Sequence, residues 1–211
     1  MRSLILTLLI SLQLMAETPQ TLHYTTQVGD QKRETTWTIT EKEGKTLYVG
    51  KSEEGTTELI VGEGGVNESF LSAHPPFQVK REGNQLHASR PGDAPQTLNL
   101  SGTPWKQSFL FSLKPFFLSA EKSHTFVIVR PTNLSLHRMI ATKGDREAIF
   151  LHGKEYDSQK VKVTLTGFQS LFWQANLWFD PETGDLLCYE ANEGPNTPLT
   201  IITLNHSSSK K

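Results

Sequence analysis

Cysteine is almost absent from this sequence, since Cys188 is the single one among 211 residues. One cysteine excludes an internal disulfide, so the folded chain must be stabilised by packing. The length suffices for one domain, which hides roughly 70% of the surface that the unfolded chain exposes. A catalytic thiol needs an accessible, electropositive position, whereas Cys188 lies between Leu187 and Tyr189 in a strand-like stretch. We therefore predict that Cys188 is a buried structural residue.

The sequence also lacks an excess of positive charge. It has 21 lysines and arginines against 22 aspartates and glutamates, and its net charge is −1. A protein that binds nucleic acid needs a surplus of basic side chains to neutralise phosphates. We therefore expect no nucleic-acid partner.

A single long apolar run is present, from Leu4 to Met15, directly after Arg2. It has the length of a signal-peptide core and is too short for a membrane-spanning helix, which needs about 20 residues. We predict that residues 1–16 are a signal peptide and that the mature protein is soluble and periplasmic or secreted. An N-terminal core element is the alternative for this run.

Motifs that carry chemistry are missing as well. The seven histidines form no metal-binding spacing, and the glycine-rich stretch at residues 61–69 lacks the lysine of a phosphate-binding loop. The one Gly-Ser pair near a strand, in residues 167–170, lacks the second glycine of a nucleophile elbow. The sequence therefore predicts no metal, no cofactor and no catalytic residue. We expect a protein that is not an enzyme, and a hydrolase whose site is assembled across loops is the less favoured alternative.

From Gln20 onward, apolar residues alternate with polar ones, as in "KVKVTLTGF" at residues 160–168. This period is typical of half-buried strands, and short polar connectors with glycine between the runs are typical of hairpins. We predict a mainly β fold, a strongly curved antiparallel sheet or half-barrel of about ten strands. Residues 17–205 form one β-rich domain in this prediction and residues 206–211 a disordered tail. Whether the sheet closes into a barrel stays open.

One stretch, residues 101–122, has a helical period instead. Thr103 and Pro104 suit the start of a helix, and Pro115 should kink or end it. The apolar residues that share one face are Phe109, Leu110, Leu113, Phe116 and Phe117. We predict a single helix of two to three turns across the concave face of the sheet.

The strand at residues 172–179 carries large aromatics on both faces. One face is uniformly apolar and is expected in the core: Trp173, Ala175, Leu177 and Phe179. The other face mixes aromatics with amides, which favours a partly wet surface or a cavity wall: Phe172, Gln174, Asn176 and Trp178. Plain packing of this second face under a loop or the helix is nevertheless the favoured interpretation, and the cavity wall is the alternative.

The stretches "GKEYDSQKVKVTLTG" and "LWFDPETGDLLCYE" resemble a bacterial periplasmic family of unknown function. The matching residues are Gly153, Lys160–Val161 and Trp178–Phe179–Asp180, and the likeness covers about residues 105–205. The resemblance implies a half-barrel similar to the lipoprotein carriers of the Lol type, and it implies no catalytic residues. This chain departs from the pattern at Gly184–Leu187, where many relatives have proline.

Together these features suggest an envelope protein that binds a lipid or a lipoprotein acyl chain between helix and sheet. The candidate ligand-binding residues are Trp105, Phe109, Leu113, Phe116, Phe172 and Trp178. The alternative is a structural or interaction module that binds another envelope protein through a sheet edge.

Overall fold

The computed structural model describes residues 19–192 and 197–208. Residues 1–18, which include the whole predicted signal peptide, and residues 209–211 of the predicted tail lie outside them. The described residues form fourteen strands: β1 Gln20–Val28, β2 Gln31–Lys42, β3 Lys45–Ser52, β4 Gly55–Gly62, β5 Val66–Ala73, β6 Pro76–Glu82, β7 Gln85–Ser89, β8 Gln96–Asn99, β9 Ser123–Val129, β10 Leu136–Leu151, β11 Lys154–Leu165, β12 Gln174–Phe179, β13 Leu186–Asn192 and β14 Leu199–Ser208. Residues 206–208 therefore pair in a strand, although the sequence analysis assigned them to the tail.

All fourteen strands belong to one sheet, and each pair of neighbours is antiparallel. The order is β8-β7-β6-β5-β4-β3-β2-β1-β14-β13-β12-β11-β10-β9, so the sheet is open, with β8 and β9 at its edges. The predicted class is confirmed, but the prediction of about ten strands is wrong. Residues 142–145 form one of the short polar segments with glycine that were expected between strands. They lie within β10 as a bulge, because β11 pairs on both sides of them.

The β9 edge is covered by the chain itself. Residues 104–107 run beside this strand, where the amide of Lys106 donates to Val127 and the amide of Val127 donates to Pro104. Next along the edge, the side chain of Gln107 both donates to and accepts from the backbone of Val129, at 3.0 Å each. These bonds satisfy backbone N–H and C=O groups of β9 that an uncovered edge strand would leave free to pair with another chain.

The core lies on the concave face, as the alternating pattern requires. In β11, for example, Val161 and Val163 are fully buried while Lys162 between them is exposed. A first core cluster joins β1–β7 to Trp105 and Phe111, and a second joins β9–β13 to the residues that follow, Leu113, Phe116 and Phe117. Burying each such large side chain contributes about 1.5–3 kcal/mol.

The helical segment differs from its prediction. It starts at Phe109, not near Thr103, because residues 104–107 are bonded to β9. It consists of two one-turn helices, α1 Phe109–Ser112 and α2 Lys114–Leu118. Pro115 does interrupt the segment, but it lies in the first turn of α2, where a missing N–H costs no hydrogen bond.

Candidate functional site

The concave face of the first half is filled by one aromatic side chain from α1. The ring of Phe111 stacks on Tyr48 with centroids 4.3 Å apart and meets Trp37 edge-on at 4.8 Å. Trp37 in turn lies on Gly50 of β3, which has no side chain to obstruct it. Phe111 therefore occupies the centre of the apolar surface that the sequence predicted for a ligand.

In the second half, α2 packs against the sheet in the same way. Phe117 stacks on Phe179 at 4.8 Å, and Phe116 stacks on the ring of His124 at 5.3 Å. Phe109, at the start of α1, is only partly buried and lies 6.0 Å from Phe126, centroid to centroid. The helical segment and the sheet thus make one continuous apolar interface.

Two polar contacts fasten this segment where α1 ends and α2 begins. Buried Asn67 of β5 donates from Nδ2 to Ser112 Oγ at 2.9 Å, while its Oδ1 has no partner among the described residues. At the start of α2, Lys114 Nζ donates to Asp185 Oδ1 at 2.8 Å, and Asp185 is buried in the turn between β12 and β13. Each tie joins a helix of one turn to a different part of the sheet.

A third tie involves a buried lysine. Lys106 Nζ donates to the carbonyl of Gly65 at 2.6 Å, in the 3₁₀ turn Glu63–Gly65 between β4 and β5. Burial, together with the nearby Arg81 guanidinium, lowers the pKa of Lys106 to about 8.

Cys188 is buried, as predicted for a structural cysteine. Burial raises the pKa of its thiol to about 12.

A small cavity of about 170 Å³ opens beside α1 on the concave face. Trp37, Leu110 and Ile202 supply its apolar lining, and most of its other lining residues are polar, among them Thr26, Thr35, Ser52, Glu54 and His74. Glu54 also forms an ion pair with Arg33. Through this cavity, Leu110 at the interface between helix and sheet is accessible from outside.

The structure divides the six predicted ligand-binding residues between two faces. Trp105, Leu113 and Phe116 are buried at the interface between the helical segment and the sheet, and Phe109 lies at its margin. Phe172 is exposed on the opposite side of the molecule. Trp178 also faces that side, where its indole N–H donates to Glu147 and the ammonium of Lys160 lies 4.8 Å from its ring. The six therefore do not form one site.

A wide groove of about 1180 Å³ lies on the convex face, which the sequence analysis did not single out as a binding site. Gln174 and Asn176 of β12 line it together with Phe172, so at these three positions the less favoured interpretation, a cavity wall, is met. Trp173, predicted in the core, is partly buried and reaches both the second core cluster and the groove. The bulged part of β10 forms the far wall, because Gly144 and its neighbours bend over β11.

Within residues 19–192 and 197–208, no group of three or more His, Cys, Asp or Glu side chains is placed to hold a metal ion. No helix in these ranges is long and apolar enough to cross a membrane.

The fold has counterparts among solved structures. A β-barrel-like protein of the domain of unknown function DUF1849 from Brucella abortus has a TM-score of 0.55 at 10% identity, covering 92% of this chain and 98% of that one. The hypothetical lipoprotein YmcC from Escherichia coli has a TM-score of 0.47 at 12% identity, covering 92% and 88%. A LolA-superfamily protein from Nitrosomonas europaea has a TM-score of 0.28 at 9% identity, covering 93% and 88%.

In sequence, no protein-family model matches this chain. No curated protein matches it either. The predicted resemblance to a bacterial family of unknown function is confirmed at the level of the fold, which is β-barrel-like.

Proposed function

We propose that this protein is an envelope protein that binds an apolar ligand, an acyl chain of a lipid or lipoprotein, on the concave face of its sheet. The observation that carries the proposal is that two one-turn helices, α1 and α2, cover this face. Helices this short have no stability of their own in water. The cover is therefore held by its side chains and can be exchanged for another apolar body.

Phe111 supports this role by its position. Its ring fills the space between Trp37 and Tyr48 that an acyl chain would occupy, and the cavity at Leu110 adjoins it. An incoming chain that enters beside Leu110 would replace the aromatic contacts of α1 with its own. The apolar area buried would be conserved, so the exchange costs little free energy.

The proposed role involves binding and transport, and no reaction. Binding through the β9 edge is less favoured, because residues 104–107 already occupy it.

A fluorescent fatty acid tests the proposal directly. The mature protein should bind the probe at micromolar concentration, and Leu110→Glu should weaken binding about tenfold because it places a carboxylate in the mouth of the cavity. The matched control is Leu118→Glu, which changes an exposed leucine of the same segment that does not line the cavity. Failure of the natural protein to bind the probe, or equal losses in both variants, would refute the proposed site.

A further inference from the structure

Three large apolar side chains protrude from the connection between β11 and β12. Phe168 and Leu171 are each 75% exposed and Phe172 is 59% exposed. The rings of Phe168 and Phe172 meet edge-on with centroids 5.3 Å apart, so the side chains form one cluster, which we call the apolar knob. Exposed apolar clusters of this kind mark interaction sites.

The convex groove begins directly behind the knob, since Leu171 and Phe172 also line it. Its floor carries a row of three side chains on neighbouring strands, because Lys162 pairs with Asn176 and Asn176 pairs with Glu190. Adjacent strands lie about 4.8 Å apart, so the row places an ammonium group, an amide and a carboxylate side by side. Among the described residues, neither Lys162 nor Glu190 has an ion-pair partner, whereas the neighbouring Lys160 is paired with Glu147.

From these two features we propose that this face docks on a phospholipid bilayer with zwitterionic headgroups. The knob would enter the interfacial region, and the row would hold one headgroup, with Lys162 at its phosphate and Glu190 at its ammonium. Trp173 lies between knob and groove, at the boundary that tryptophan favours in membrane interfaces.

The groove contains equal numbers of positive and negative side chains, which favours a zwitterionic lipid. Its ionisable side chains are three lysines and three carboxylates: Lys143, Lys160, Lys162, Asp145, Glu147 and Glu190. A surface for purely anionic lipid would instead be rich in lysine and arginine. The knob consists of only three side chains, which argues against a protein partner, because a stable protein interface involves about 20–30 residues on each side.

Vesicle flotation tests the proposal. The mature protein should float with vesicles of phosphatidylethanolamine and phosphatidylcholine, and the double variant Phe168→Ser/Leu171→Ser should partition about tenfold less. The matched control is Phe150→Ser, which removes an equally exposed phenylalanine (73%) at the far end of the β10–β11 hairpin. That position lies roughly 35 Å along β11 from the knob.

A separate variant tests the row of Lys162, Asn176 and Glu190. Glu190→Gln removes the carboxylate from the groove and should shift preference about tenfold toward vesicles of phosphatidylglycerol. Absence of flotation by the natural protein would overturn the proposal. Equal loss in the Phe150 control would also overturn it, as would a dimer in sedimentation that the knob variant dissociates. Binding of the fatty-acid probe in solution is measured separately, so failure here is distinct from failure of the concave-face site.

Discussion

Gly50 shows how much of this fold depends on a single residue. A Cβ atom at this position would lie 2.7 Å from Cε2 of Trp37, which is closer than two carbon atoms can pack. The glycine therefore lets the indole lie flat on β3 and support Phe111 from α1.

We expect Gly50→Ala to displace Trp37 and to lower the free energy of unfolding by about 1–3 kcal/mol, as overpacking does. Urea denaturation would measure the change. Gly144→Ala is the matched control, because a Cβ there has its nearest contact at an ordinary 3.5 Å. Similar losses in the two variants would contradict the steric argument.

The titration of Lys106 should change the free energy of unfolding as the pH is raised. Its pKa is about 8 in the folded protein and higher in the unfolded chain, so the unfolded chain binds more protons above pH 8. Its contribution to stability therefore rises with pH in this range. We expect a gain of about 1 kcal/mol between pH 8 and pH 9.

The measurement is the pH dependence of the free energy of unfolding for the natural protein and for Lys106→Met. Contributions from other groups, including the Cys188 thiol, whose raised pKa destabilises the fold at higher pH, cancel in the difference. If the difference in free energy of unfolding between the two proteins stayed constant from pH 8 to pH 9, the pKa of Lys106 would not be lowered in the folded protein.

At the scale of elements, the helical segment depends on its ties to the sheet. Two helices of four and five residues cannot form alone, so the buried phenylalanines and the polar contacts hold them in place. The tie of Lys114 to buried Asp185 joins α2 to the β12–β13 turn, where Gly184 leaves room for Leu118.

Lys114→Met should loosen α2, because it leaves the Asp185 carboxylate buried without its cation. We expect a loss of about 1–3 kcal/mol in stability. Hydrogen exchange should become faster at the amides of Phe117 and Ser119, which are bonded within this segment. Lys122→Met, which changes an exposed lysine just beyond α2, should leave exchange unchanged. Equal protection of α2 in the two variants would count against the tie.

The whole molecule is one sheet in which the first and last strands are neighbours. β1 pairs with β14 from Thr21 to Val28, so the two halves share a continuous ladder of hydrogen bonds. Ile202 of β14 packs against both core clusters. The halves should therefore unfold together.

Urea unfolding should give one transition, with the same midpoint by far-UV circular dichroism and by tryptophan fluorescence. The midpoint should not change with reductant, because the one cysteine is buried and forms no disulfide. Two separate transitions would contradict the single domain predicted for residues 17–205.

Features that depend on neighbouring residues could be predicted from the amino-acid pattern alone. Alternation predicted that Val161 and Val163 face the core, and glycine with polar residues predicted the hairpin turns, because side-chain direction and turn geometry are local properties. The helical period likewise predicted that Leu113, Phe116 and Phe117 share a buried face.

Features that depend on residues far apart in the chain could be known only from the folded structure. The start of α1 moved to Phe109 because Val127 binds the segment before it. The partner of Trp178 also lies far away in the chain, since Glu147 of β10 accepts its indole N–H on the convex face. Lys162, Asn176 and Glu190 became neighbours only through the pairing of three strands. Register and long-range hydrogen bonds are set by the folded sheet as a whole, and no local pattern contains them.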